Sequence, residues 1–231
     1  MSKRAQTRIE QENKKSRQRL ISIAVITAVV LIVVTLIIRQ SNRDAVEIVS
    51  VDQVVPAYVD GRALGSVDAP VLVQSFSNFP CPHCRTLATD AALLIESNFV
   101  ESGLVRYEYH YATFGQSVGR FAAEAAECAN QQGVFWPYHD ILYANQTGAR
   151  DQYSERRLLA FAEDLDLDGR QFHSCLNDGK SSAVVQQDAE LAADMGVNAT
   201  PTVFINGEKV EGAMPFEVYK EIIEQKLEKT Q

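Results

Sequence analysis

PVLVQSFSNFPCPHCRTLATDAALLIESNF, residues 70–99, decides the fold. Its opening PVLVQSF is a short, β-branched apolar run, which predicts a buried strand. From Cys81 the period changes. Leu87, Ala91, Leu94 and Ile95 share one face at helical spacing, which predicts a helix. Pro82 falls near the first turn, where a missing N–H costs nothing. The strand-to-helix switch therefore carries Cys-Pro-His-Cys, with Cys81 at the helix N-terminus and Cys84 one turn further on.

Downstream, LVRYEYHYATF (104–114) reads as a second strand and gives a β-α-β start. Four stretches with helical periodicity follow, at 117–132, 136–146, 154–165 and 181–196, broken near Gly133, Gly148, Gly169 and Gly179. After Gly196 the pattern returns to strand. TPTVFING and EKVEG meet at Asn206-Gly207, a strong hairpin signal, and PFEVYKEIIEQKLEK closes the chain as an amphipathic helix. This is an α/β layout over 67–231 with a helical insertion at about 115–195.

Upstream, Leu20 to Ile38 is a run of 19 uncharged residues interrupted only by Ser22, Thr27 and Thr35. A helix of that length reaches roughly 28 Å, near the thickness of a hydrocarbon core. A cleaved signal peptide has a shorter apolar region and a small-x-small site, whereas RQSNRD follows here, so one uncleaved transmembrane helix at 20–38 is expected. Residues 1–19 carry seven Lys/Arg against Glu10 and Glu12. That balance of +5 leaves −13 on the other 212 residues of a chain whose net charge is −8. The basic tail predicts a cytoplasmic N-terminus and an extracytoplasmic domain, single-pass in the cell membrane. Residues 39–66 read as a polar, weakly patterned linker. The acidic remainder argues against nucleic-acid binding.

Four cysteines, Cys81, Cys84, Cys128 and Cys175, suit an exported domain and allow three pairings. For the CxxC, zinc would need two further ligands, and no second close pair supplies them, so no metal site is expected. A staple across two residues closes almost no loop and constrains the unfolded chain little. A reactive dithiol has positive support. Unpaired N–H groups and the helix dipole favour a thiolate at Cys81, the attacking form, and a stabilised thiolate makes the disulfide more oxidising. His83 adds a donor or a positive charge, and Cys84 is the resolving thiol.

FSNFPCPHC, GVNATPTVFING and the helical block between them resemble the DsbA-like family of thiol-disulfide oxidoreductases, over roughly 66–230. The resemblance implies a thioredoxin-like core with the helical insertion, working through a redox-active Cys81-Cys84 disulfide without metal or organic cofactor. It implies Cys81 as exposed nucleophile, Cys84 as buried partner, His83 as thiolate stabiliser and Pro201 as a cis-proline facing the dithiol. Thr200 would offer its backbone to a substrate strand. It also implies a structural Cys128–Cys175 disulfide, which removes about 4 kcal/mol of unfolded-state entropy on the loop-closure model.

Function follows as an expectation: a membrane-tethered oxidase that introduces disulfides into unfolded or nascent exported proteins with free thiols. A membrane oxidant resembling DsbB or a vitamin K epoxide reductase would regenerate it. A reductase or isomerase is the alternative within the chemistry, and a non-catalytic holdase the alternative outside it. Family members often carry an acid on the first strand to move protons at the buried cysteine; here that place is read as Gln74, with Ser75 beside it. His110, His139 and His173 are read as surface or packing residues without a chemical role, and EDLDLD (163–168) as a solvated helix end.

Overall fold

The computed structural model describes residue 23 and residues 25–35, 46–52 and 58–229. The chain divides into two compact units, Met1–Glu47 and Ile48–Gln231. In the first, residues 25–35 are helical and exposed. Thr27 and Thr35 turn their hydroxyls back onto the carbonyls of Ile23 and Leu31, the local bonding such residues adopt within a helix. The expected span 20–38 runs past the described residues at both ends. The basic tail 1–19 and linker residues 39–45 and 53–57 lie outside them too. No helix among the described residues is long and apolar enough to cross a membrane.

The second unit is built on one six-stranded sheet. Its strands are β1 (Val59–Asp60), β2 (Ala63–Leu64), β3 (Val71–Ser77), β4 (Val105–Tyr111), β5 (Thr202–Ile205) and β6 (Glu208–Glu211), in the order β1-β2-β4-β3-β5-β6. β3 and β4 are parallel, in register from Val71 opposite Val105 to Ser77 opposite Tyr111, and the other pairs are antiparallel. In β4 the alternation is strict: Val105, Tyr107, Tyr109 and Tyr111 are buried, while Arg106, Glu108 and His110 are half-buried on the other face. β5 and β6 join at Asn206 (φ 44°) and Gly207 (φ 82°), the two positive-φ positions of a tight hairpin.

The parallel pair needs a crossover, and here it is not one helix. α1 (Pro82–Thr89) ends at Asp90, whose φ of −131° and ψ of −89° break the helix. α2 (Ala91–Ile95) restarts and widens into a π turn at Glu96–Val100. Leu87, Ala91 and Ile95 stay buried, but the break and the wider turn rotate Leu94 outward, to 40% exposure.

The insertion follows β4 as α3 (Ser117–Asn130), α4 (Phe135–Ala144), α5 (Glu155–Asp164), α6 (Gly169–Asp178) and α7 (Lys180–Asp194). After the β5–β6 hairpin, α8 (Phe216–Glu228) closes the unit. α3 buries Ala122, Ala123, Ala125, Ala126 and Ala129, small side chains that let helices close on it from several directions. Around it, Phe135, Tyr138, Phe161 and Phe172 fill the insertion core, each fully buried ring contributing about 1.5–3 kcal/mol. Cys128 on α3 and Cys175 on α6 are disulfide-bonded inside this core. A second core lies between the sheet and α1, α2 and α8. Asp168, read from sequence as part of a solvated helix end, caps α6 by accepting from the N–H groups of Arg170 and Gln171.

The linker reading of residues 39–66 needs correction at its end, because Val59 to Leu64 form two strands of the sheet. The turn between them is driven into the domain by Arg62. Its guanidinium bonds the Tyr109 carbonyl (3.1 Å), pairs with Asp188 and with Glu127 (3.4 Å), and lies over the Tyr111 ring (4.7 Å). Asp188 also accepts the Tyr111 N–H and meets His110 Nδ1 at 3.3 Å. Burial alone would push Asp188 up, but hydrogen bonds from His110 and Arg62 outweigh it and hold the carboxyl below its usual range. His110 is therefore no plain surface residue; it stacks on Phe76 at 4.8 Å, between Glu108 and Asp188.

Candidate active site

Cys81 is the N-cap of α1 and Pro82 its first residue, so the chain turns at the cysteine with two N–H groups free to point at it. The Cys81 N–H is held by the Asn78 carbonyl at 2.9 Å, which tightens the turn leaving β3. Its Sγ is half-buried and donates to the Thr200 carbonyl at 3.4 Å. Thr200-Pro201 is a cis peptide, and Pro201 is buried. The two segments, 119 positions apart, thus meet at the sulfur.

Cys84 sits beneath, 1% exposed, its Sγ accepting the Asn78 N–H at 3.4 Å. Neither cysteine is in a disulfide here. The two sulfurs are driven apart in acidity. The Cys84 thiol donates to Cys81, and the N–H groups of His83 and Cys84 add to it; together they outweigh desolvation and bring Cys81 from 9.0 down to about 5. Burial, then the hydrogen bond to Cys81 and the charge of that sulfur, pushes Cys84 well up. The pair is therefore one thiolate near the surface and one proton-bearing thiol below it. The His83 side chain is exposed, and its part in this arrangement is its backbone N–H.

The insertion grips the same loop. Gln146, just past α4, donates from Nε2 to the carbonyls of Phe79 (2.6 Å) and Cys81 (3.0 Å), and the Tyr153 hydroxyl donates to Phe79 O at 3.0 Å. Gly119 of α3 presses against the Asn78 side chain so closely that a Cβ there would stand 2.2 Å from Oδ1. Sequence reasoning missed all three residues. Gln146 and Tyr153 carry no motif and act across 65 and 74 positions. For Gly119, the one available signal was a glycine inside an otherwise strong helical pattern.

Below Cys84 lies a cavity of about 150 Å³, reaching from Ser75 and Ser77 on β3 to Glu96, His139 and Asp140. Ser75 and Ser77 face each other across 3.2 Å. Gln74 is not in this wall, which corrects the reading that put it in the acid's place. It points to the opposite sheet face, toward Glu108 (3.4 Å) and His110 (3.5 Å), because successive strand residues alternate. The β3 residue on the Cys84 side is Ser75. His139, read from sequence as a packing residue, is 5% exposed and lines the cavity. His173 is exposed on α6, 3.6 Å from Glu155.

Comparisons agree with this architecture. A family model described as Thioredoxin matches residues 58–225. The Bacillus subtilis protein called Disulfide bond formation protein D is 26% identical over 176 residues, covering 74% of this chain and 79% of that one. The crystal structure of oxidised BdbD from Bacillus subtilis superposes with a TM-score of 0.68 at 26% identity, covering 72% of this chain and 92% of that chain. A longer relative, Na(+)/H(+) antiporter NhaA 3 of Salinispora tropica, is 35% identical over 165 residues. That match covers 70% of this chain but 24% of the antiporter, so the chain spans about a quarter of that relative's length.

Proposed function

We propose that this chain, which belongs to the thioredoxin family and resembles its DsbA-like members, is a protein thiol-disulfide oxidoreductase that works as a membrane-tethered oxidase. The observation that carries this reading is the split pair of sulfurs. A half-buried Cys81 held down to about 5 is a stable thiolate, and a disulfide that releases a stable thiolate is a strong oxidant. A substrate thiolate attacks Cys81 Sγ, the Cys81–Cys84 bond breaks, and Cys84 leaves to take up a proton. A second substrate thiol then attacks the mixed disulfide, its own proton going to solvent. The substrate departs oxidised, and Cys81 is left as thiolate.

Thr200, whose carbonyl reaches Cys81, is the backbone against which an extended substrate strand would pair. Pro201 and His83 shape the site around the sulfur. Substrates are unfolded or nascent exported proteins with free thiols. The apolar run 20–38 behind a basic tail supports a single-pass anchor with the N-terminus cytoplasmic and the domain extracytoplasmic. A membrane oxidant resembling DsbB or a vitamin K epoxide reductase would restore the disulfide. Ion exchange, which names the Salinispora relative, belongs to a protein about four times the length of the shared stretch and forms no part of this reading.

The test is the redox equilibrium of the chain with reduced and oxidised glutathione, in a Cys128→Ser/Cys175→Ser background that isolates the CPHC pair. A potential approaching the DsbA value of about −120 mV supports the oxidase. A value near the thioredoxin end, about −270 mV, sinks it in favour of a reductase. No response to glutathione would overturn the exchange chemistry altogether and favour a holdase.

A further inference from the structure

The thiol of Cys84 must gain and lose a proton in every cycle, and the sheet offers it no carboxyl group: its wall of the cavity is Leu64, Ser75, Ser77, Tyr107 and Tyr109. From the geometry of that cavity we infer that His139, held by Asp140, is the group that exchanges this proton with Cys84. This rests on the oxidoreductase reading above and adds to it a proton relay built by the inserted helical block.

Three observations carry it. First, Cys84, His139 and Asp140 line one cavity of about 150 Å³, room for several water molecules. Second, His139 Nδ1 lies 2.8 Å from Asp140 Oδ1. A carboxylate there fixes the tautomer with the proton on Nδ1, which leaves Nε2 as the nitrogen able to accept another. The imidazole is held edge-on by Tyr109 (5.0 Å), Tyr143 (4.9 Å) and Trp136 (5.2 Å), so it is fixed in place. Asp140 is largely exposed and connects the pair to bulk water. Third, Trp136 also lines the cavity, and its Nε1 is buried with no hydrogen-bond partner among the described residues. Ser75, Ser77, Glu96 and Asp140 put polar groups on the wall of this cavity, and polar groups lining a cavity of this size are ordinarily served by water. The same water would bridge Cys84 to the imidazole.

The step balances. When a disulfide has been attacked by Cys81, the mixed disulfide is resolved by Cys84: its proton passes through cavity water to His139 Nε2 and its sulfur attacks Cys81 Sγ. The Cys81–Cys84 bond forms, the bond from Cys81 to the partner sulfur breaks, and the electron pair leaves on the partner as thiolate. In the opposite direction a substrate thiolate expels Cys84, and the imidazolium returns the proton. The titratable groups around His139 are Asp140 and Tyr143 from its own helix, Glu96 from the π turn, Tyr107 and Tyr109 from the sheet and, across the cavity, Cys84. Glu96 accepts from the Tyr58 hydroxyl at 2.7 Å, and burial raises its carboxyl pKa, so it is the competing base that the test has to separate from His139.

The test follows the reduced full chain reacting with oxidised glutathione, quenched in acid and read by mass spectrometry. Attack by Cys81 and closure by Cys84 appear there as formation and decay of the mixed disulfide. In His139→Gln, closure slows about 100-fold, the lower end of what a positioned acid or base supplies, while the first step keeps its rate. Between pH 5 and 9 closure in H139Q rises with hydroxide throughout, and wild-type closure does not. Asp140→Asn, at an exposed carboxylate, carries the test if H139Q does not fold: closure slows and the first step does not. Closure at the wild-type rate in a folded H139Q, or equal slowing of both steps, overturns the inference. So does a closure defect in Glu96→Gln that H139Q lacks. A wild-type chain that never forms the mixed disulfide overturns instead the oxidoreductase reading on which this rests.

Discussion

Lowering the pH should destabilise the reduced chain relative to the oxidised one. The cause is Cys81, brought from 9.0 to about 5 by the Cys84 thiol and the N–H groups at the start of α1. Because the folded value is the lower one, the stabilisation is complete above about pH 9, where an unfolded thiol also ionises. It declines as pH falls and is lost once pH drops through 5. The full drop corresponds to about 5 kcal/mol. Screening at a half-exposed sulfur reduces that, so roughly 2 kcal/mol between pH 5 and 8 is the amount to look for. For a domain of this size that is about 4–8 °C in melting temperature. The assay is thermal unfolding of reduced and oxidised protein at a series of pH values, with thiolate absorbance near 240 nm recorded on the reduced form. The difference between the two redox states should grow from pH 5 to 8 in favour of the reduced form, and the absorbance step should fall near pH 5. A difference that stays flat with pH, with a step near 9, would refute the account of how the helix start activates the sulfur.

Four further outcomes follow from the packing. Replacing Cys128 and Cys175 by serine opens a cross-link spanning 47 positions and should cost about 4 kcal/mol in urea unfolding. Gly119→Ala drives a methyl group into the Asn78 side chain and should cost about 1–3 kcal/mol. It should also speed alkylation of Cys84, because Asn78 holds that sulfur. Asp188→Ala removes one of the two buried carboxylates that hold Arg62 and frees the Tyr111 N–H, and should cost about 3–5 kcal/mol by denaturant titration. Asp178→Ala, at the exposed pair with Lys180, should cost less than about 1 kcal/mol.

What could be read from the sequence was what short-range pattern encodes. β3, the helix start after Cys81, the alternation of β4 and the Asn206-Gly207 hairpin each announce themselves within ten residues. β1 and β2 do not, because two-residue strands are shorter than any periodicity can register, and what fixes them is the Arg62 guanidinium among distant acids. The break at Asp90 lacks a proline or glycine to announce it. Gln74 was given the wrong face because β3 is buried or half-buried on both sides, so its sequence has no clear phase, and a one-residue error exchanges the two faces. His139 and Gln146 were invisible as site residues for a different reason. Their roles exist only once the insertion is docked, and no local signal reports what a helix will face.

The grip of Gln146 and Tyr153 on the loop also bears on the stereochemistry of approach. The carbonyls of Phe79 and Cys81, which an arriving polypeptide could have used as hydrogen-bond acceptors, are occupied from within. On the function proposed above, main-chain pairing falls to the flank formed by residues 199–201. A partner would therefore lie along one side of the sulfur and not straddle it. Its own cysteine would have to come to Cys81 from that flank, with the direction of the strand fixed before any bond is exchanged.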